Sequence, residues 1–186
     1  MLSHDDRATL LSTARASIAH GLTSGHAITI THVEQYSPAL RRRASAFVTL
    51  RLTDTLRGCI GGLTAHQPLI TDVAQHAFAA AFKDPRFPVL DRREFDAIHL
   101  EVSVLLPAEA VAFASESDLL AKLRPGIDGI TVTQGRKRAT FLPTVWETLP
   151  EPSQFLHELK SKARISKGAV NYSIERYETV SFGERD

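Results

Sequence analysis

The stretch from Ala46 to Ile60 constrains the fold most. Ala46, Val48, Leu50 and Leu52 alternate with Phe47, Thr49 and Arg51, the period-two pattern of a strand with one buried face. Thr53, Asp54 and Thr55 read as a turn, and Leu56 to Ile60 reads as a returning strand before Gly61 and Gly62 break it. A hairpin over Phe47–Ile60 follows, and a hairpin commits the chain to antiparallel pairing. Ile98 to Leu105 is the next strong strand, with Ile98, Leu100, Val102 and Val104 on one side and His99, Glu101 and Ser103 on the other. Ile130–Thr133 and Ala139–Leu142 flank the turn Gln134-Gly135-Arg136-Lys137 as another hairpin. Asn171 to Phe182 reads as one final strand whose parity slips between Ile174 and Tyr177, predicting a bulge.

Helical periods separate these pairs. Ser3 and Asp6 make a capping box ahead of Leu10, Leu11, Ala14 and Ile18, with Gly21 as the expected stop. Thr23 to Arg43 reads as a loop with one short strand. Pro68 suits a helix first turn, followed by Leu69, Ile70, Val73, Ala77 and Ala81. Asp84-Pro85-Arg86-Phe87-Pro88 ends that helix, because Pro85 lacks an amide proton and disfavours helix in Asp84. Ser115 opens a short helix through Leu123, and Ser153 is the expected cap of a helix carrying Leu156, Leu159 and Ala163. Paired strands without a strict βαβ alternation predict an α+β fold with antiparallel sheets and flanking helices.

Composition narrows the function classes. Among 186 residues, 43% are apolar, enough for a packed core. The 22 Lys and Arg offset the 21 Asp and Glu to a formal charge of +1, so there is no global field for nucleic acid or an anionic membrane. A single cysteine, Cys59, excludes an intrachain disulfide and a Cys-rich zinc module. No apolar run approaches the roughly 20 residues of a membrane helix, and Met1 to His4 open no secretory leader. A cytoplasmic location is the expectation.

Three segments carry groups suited to chemistry. In Leu56-Arg57-Gly58-Cys59-Ile60-Gly61-Gly62, strand parity puts Arg57 beside Cys59, where a guanidinium would favour the thiolate. Gly58 and Gly61 would leave the backbone open to a ligand. The alternative is a tightly packed strand with an inert thiol. In Asp84-Pro85-Arg86-Phe87-Pro88 two prolines hold an acid and a base; Arg86 would grip an anion, or else Asp84 and Arg86 pair to fix the helix exit. Glu101, between His99 and Ser103, is a candidate general base if its strand face lines a cleft. His66, His76 and His99 with Cys59 lack the spacing of a recognised ligand pair, so no metal is assigned, and no sequence feature names a cofactor. Arg41-Arg42-Arg43 and Gly135-Arg136-Lys137-Arg138 are basic enough to touch phosphate, or are solvated surface.

These segments, in this order, resemble one family. Ala46-Phe47-Val48-Thr49-Leu50, Leu56-Arg57-Gly58-Cys59-Ile60-Gly61, Asp84-Pro85-Arg86-Phe87 and Glu101-Val102-Ser103 are similar to motifs of the AMME-syndrome candidate-protein family (AMMECR-type domain). Gly126 to Gly129, Phe141-Leu142-Pro143 and Phe155-Leu156 with Lys162-Ala163 extend the match over nearly the whole chain from Ala44. The bacterial branch is the AmmeMemoRadiSam system protein A group. The resemblance implies a single AMMECR-type domain over residues 1–186, built from a larger and a smaller subdomain that enclose a cleft. It implies a Memo-like protein and a radical S-adenosylmethionine protein as partners, and it brings no established reaction. It carries over Arg57, Cys59, Asp84, Arg86 and Glu101 as site residues. Arg164 stands after Lys162-Ala163 where the family has Gly-Leu, so the turn there is expected to differ.

Three functions follow as expectations. The first is an accessory enzyme in a modification pathway, with Cys59 as nucleophile or acyl carrier, Arg57 activating it and Glu101 as acid–base group. Asp84, Arg86, Gly58 and Gly61 would then bind substrate. The second is a non-enzymatic adaptor for a Memo-like or radical-enzyme partner. The third, which the near-zero charge disfavours, is a nucleic-acid-binding module using the two basic runs. The enzyme reading expects the Arg57–Cys59 strand at a cleft rather than at an outer edge, with Arg86 and Glu101 at the same cavity.

Overall fold

The computed structural model describes residues 2–185, and the chain falls into two compact units. Unit 1 holds the residues up to Leu105 and those from Val180 on; unit 2 is Leu106–Thr179. In chain order unit 1 contains α1 (His4–Ser24), α2 (Pro38–Arg41), β1 (Ala46–Leu52), β2 (Thr55–Gly61), α3 (Leu69–Phe82), α4 (Arg92–Phe95) and β3 (Ile98–Leu105). Unit 2 follows with β4 (Glu109–Val111), α5 (Glu116–Lys122), β5 (Gly129–Gln134), β6 (Lys137–Phe141), α6 (Pro152–Lys162) and β7 (Ser173–Tyr177). The last strand, β8 (Thr179–Gly183), leads back into unit 1. Each unit carries a four-stranded sheet, ordered β2-β1-β3-β8 and β4-β7-β5-β6. The class is α+β with antiparallel sheets, as the paired strands predict.

In unit 1 the hairpin turn is Thr53-Asp54, both at positive φ (47° and 62°), the backbone a tight two-residue hairpin turn requires. Register pairs Val48 with Ile60, Leu50 with Gly58 and Thr49 with Cys59 on one side, and Thr49 with Glu101 on the other. Ala46, Val48, Leu50, Leu100 and Val102 therefore share one face, and all are buried with Leu10 and Ile18 of α1 and Leu69, Ile70 and Val73 of α3. Each large side chain buried there contributes about 1.5–3 kcal/mol. The Ser3–Asp6 capping box forms as expected. The helix it opens runs past Gly21 to a left-handed Gly25 (φ 77°). Gly21 serves packing instead: a Cβ there would lie 2.5 Å from the Phe82 ring and 2.7 Å from that of Phe78.

Unit 2 buries Ile130, Val132 and Ile174 of its sheet against Phe155, Leu156 and Leu159 of α6. Trp146 stacks on Phe155 with ring centroids 3.7 Å apart and donates its indole N–H to the Asp128 carbonyl. Three sequence expectations are corrected here. Residues 171–182 form two strands, not one bulged strand: the register of β7 runs unbroken, with Ile174 in the core and Tyr177 on the opposite face against Gly129 and Thr140, and the chain changes sheet after Tyr177. Ser153 lies inside α6, whose first helical residue is Pro152. The 23–43 segment holds a 3-10 turn (Val33–Gln35) and α2, with a single isolated bridge from Arg43 to Pro68 in place of a strand. Arg164 takes φ 57°, a left-handed turn that glycine adopts without strain.

Candidate functional site

Every candidate catalytic and substrate-binding residue named from the sequence lies in unit 1. Strand β2 is the terminal strand of its sheet, so the outward N–H and C=O of alternate residues have no strand partner. At Cys59 the loop after α3 supplies one. The Asp84 carboxylate accepts from the Cys59 N–H at 2.9 Å, and the Arg86 guanidinium donates to the Cys59 C=O at 3.1 Å. Asp84 also accepts from the Arg86 amide (3.1 Å), Nε (2.9 Å) and Nη2 (2.7 Å). Two adjacent side chains thus stand in for a fifth strand over one residue. Pro85 between them explains the sequence: it stops α3 and fixes the loop at the edge. Of the two readings of this segment, the Asp84–Arg86 pair is present, and the pair also grips the backbone of Cys59. The Arg86 hydrogen bonds hold the Asp84 carboxyl far below the usual carboxylate range, against the opposing effect of burial.

Arg57 does not serve the thiol. Register shifts between Leu50 and Arg51, which face Gly58 and Leu56 respectively, leaving Arg57 as the extra residue of a bulge. Its buried guanidinium forms a fork on Glu94 of α4, Nε to Oε1 at 2.7 Å and Nη2 to Oε2 at 2.8 Å. Strand parity fails as a guide across a bulge, and this is why the expected guanidinium–thiol pair is absent. Glu94 escaped the sequence reading, although Asp91-Arg92-Arg93-Glu94 has capping-box spacing and does form that box. The Arg57 hydrogen bonds pull the Glu94 carboxyl below its ordinary value.

The Cys59 thiol is half-buried and accepts a hydrogen bond from Thr49 Oγ1 at 3.3 Å. Burial pushes its pKa up; the Thr49 hydroxyl and the Arg86 charge oppose this without reversing it. The direction is opposite to that of an activated nucleophile. The glycines of the motif are occupied by the protein itself. A Cβ on Gly58 would stand 2.2 Å from the Ala80 carbonyl oxygen of α3, and one on Gly61 would stand 2.3 Å from the Phe47 ring. Those close approaches belong to a helix and a ring rather than to a ligand.

Glu101 shares the sheet face of Cys59, but Thr49 stands between them in register. Two inter-strand spacings put them about 9–10 Å apart, beyond direct proton transfer. Glu101 instead lies 3.6 Å from Arg51 and lines a cavity of about 310 Å³ with His99 and Arg185. The structure therefore gathers Cys59, Asp84 and Arg86 at one edge, places Arg57 on Glu94, and sets Glu101 elsewhere on the face. Among the described residues, no three His, Cys, Asp or Glu side chains are placed to share a metal. Arg41, Arg42 and Arg43 are exposed in unit 1, while the other basic run is the β5–β6 hairpin of unit 2, where Arg138 meets Glu175 at 3.4 Å. No helix among the described residues is long and apolar enough to cross a membrane.

Comparison with known proteins agrees with this architecture. The model of the AMMECR1 family matches residues 11–182. A protein of Methanothermobacter thermautotrophicus is 38% identical over 144 residues, covering 77% of this chain and 74% of that one. One of Thermofilum pendens is 34% identical over 201 residues, covering 98% and 92%. The crystal structure of an uncharacterised protein from Pyrococcus horikoshii superposes with a TM-score of 0.85 at 30% identity, covering 94% of this chain and 89% of that one.

Proposed function

Taking as premise that the chain belongs to the AMMECR1 family, we propose that it works by binding, as a non-enzymatic adaptor for a Memo-like or radical S-adenosylmethionine protein, and not by thiol chemistry. The observation that carries this reading is the use made of the family motif. Arg57 is spent on Glu94, Asp84 and Arg86 on the Cys59 backbone, and burial raises the Cys59 thiol. A nucleophile needs its thiolate available near neutral pH; a rigid binding surface needs the edge locked and the strand positions fixed. The arrangement meets the second need. The bridge at Cys59 also obstructs the open strand through which such a sheet would pair with itself.

The accessory-enzyme reading, with Cys59 as nucleophile and Glu101 as acid–base group, competes directly. It requires a lowered thiol pKa and a proton acceptor within reach; here the thiol is raised and Glu101 lies two strands away. The discriminating experiment measures complex formation by calorimetry between this chain and a purified Memo-like protein and a purified radical S-adenosylmethionine protein. Binding to at least one of them, unchanged in Cys59→Ser, is the expected result. Binding to neither, or a complex that Cys59→Ser abolishes, would remove the adaptor reading.

A further inference from the structure

The cavity on the unit 1 sheet has a chemistry of its own. Its floor is the polar side of β3 and β8, with His99, Glu101 and Gly183 among the lining residues, and Arg51 and Arg185 stand at its sides. The charges are balanced and adjacent. Arg51 Nε lies 3.6 Å from Glu101 Oε2, longer than a hydrogen bond, and both side chains are partly open to solvent. Arg185 Nη1 is held by Asp54 Oδ1 at 2.8 Å across the hairpin turn, which fixes that guanidinium at the rim. Glu184, also in the lining, is committed elsewhere: it accepts from Arg15 Nε and Nη2, both at 2.6 Å, and from the Leu100 amide at 2.9 Å. The poles facing a guest are thus the Glu101 carboxylate and the Arg51 guanidinium, whose Nη1 also donates to the Asp54 carbonyl at 3.4 Å, with the Asp54-paired guanidinium of Arg185 at the rim.

A simple anion such as phosphate would meet Glu101 at the floor, and a simple cation would meet Arg51 and Arg185. Neither suits a site with both signs a few ångströms apart. A small molecule that carries both charges on neighbouring atoms does. We propose that this cavity binds a free α-amino acid, its carboxylate on the guanidinium groups of Arg51 and Arg185 and its ammonium on Glu101. Guanidinium forks match carboxylate geometry, and Glu101 offers acceptor sites that its long contact with Arg51 leaves unfilled. A volume of about 310 Å³ is at the small end for ligand pockets and suits a guest of this size. None of the residues involved takes part in the Cys59 edge. The inference therefore stands on the isolated chain, whether or not a protein partner binds.

The test uses the full chain labelled with ¹⁵N and titrated, by nuclear magnetic resonance, with each of the common L-amino acids. Each one that binds is followed by its two halves; for L-alanine these are propionate, which lacks the amine, and ethylamine, which lacks the carboxylate. The expected result is saturable shifts at His99, Glu101 and Gly183 for at least one amino acid, with both halves weaker by about tenfold or more. Glu101→Gln, which keeps shape and removes the charge, and Arg185→Ala, at an exposed site, should each weaken binding by a similar factor. No shift with any amino acid would overturn the proposal. So would halves that bind as well as the whole, or binding that survives both substitutions.

Discussion

Asp84→Asn is the substitution that most directly loads the edge of β2. The carboxylate is buried and accepts four hydrogen bonds, one from the Cys59 amide and three from Arg86. Asparagine keeps one acceptor oxygen and turns an NH₂ towards donors, so whichever way it points, about half of these bonds are lost. The Arg86 side chain is 54% exposed and can rehydrate, so its share is discounted to less than about 1 kcal/mol. The orphaned amide, part-buried at the strand edge, costs about 1–3 kcal/mol. The sum is a loss of about 1–4 kcal/mol in unit 1, or roughly 4–16 °C in its melting transition at about 4 °C per kcal/mol. Amide hydrogen exchange reads unit 1 directly, and the Cys59 amide should exchange about 5- to 1000-fold faster. The pH dependence carries a sign. The folded Asp84 carboxyl titrates below its unfolded value of about 3.9. Its contribution is therefore complete above that pH and is lost as pH falls towards the folded value. The gap between wild type and Asp84→Asn should narrow below about pH 4. A variant within about 0.5 kcal/mol of wild type at pH 7 would refute the idea that this carboxylate closes the edge.

Other substitutions probe neighbouring parts of the account. Gly58→Ala drives a methyl to 2.2 Å from the Ala80 carbonyl oxygen, a backbone atom that cannot swing aside. It should cost about 1–3 kcal/mol by urea denaturation, and a neutral effect would mean that α3 does not sit against β2 as described. Arg164→Gly relieves a positive φ of 57° and should stabilise unit 2 by about 0.5–1 kcal/mol, measured by the same method. A loss of stability there would show that the arginine side chain outweighs the backbone gain.

The legible part of this fold was whatever local periodicity controls. β1, β2, β3 and the β5–β6 hairpin lie where alternation puts them, because one face of each strand is buried and register is thereby pinned. What escaped depends on partners remote in sequence. The slip between Ile174 and Tyr177 looks like a bulge, since a regular strand that buries a side chain on each face breaks the alternation in the same way. Gly21 looks like a helix stop until Phe78 and Phe82 are seen against it. At the site, the sequence reading puts Arg86 and Glu101 at one cavity with Cys59; the structure brings Asp84 and Arg86 to Cys59 and sets Glu101 apart. Their roles were not legible, because which carboxylate an arginine finds is a tertiary fact. Arg57 lies two residues from Cys59 and is bound to Glu94, 37 positions away. Glu101 carries the polar-face signature of a cleft residue and does line a cavity, though one without Cys59 among its lining residues.

The central claim is that the Leu-Arg-Gly-Cys-Ile-Gly segment is a locked edge and not an activated nucleophile. The rate of Cys59 alkylation by iodoacetamide, followed against pH on the folded chain, tests it most directly. With burial raising the thiol and Arg57 engaged by Glu94, the midpoint should lie above the free-thiol value of about 8.5, and Arg57→Lys should leave it in place. A midpoint below that value, rising when Arg57 is replaced, would contradict the account and restore Cys59 as a reactive thiol.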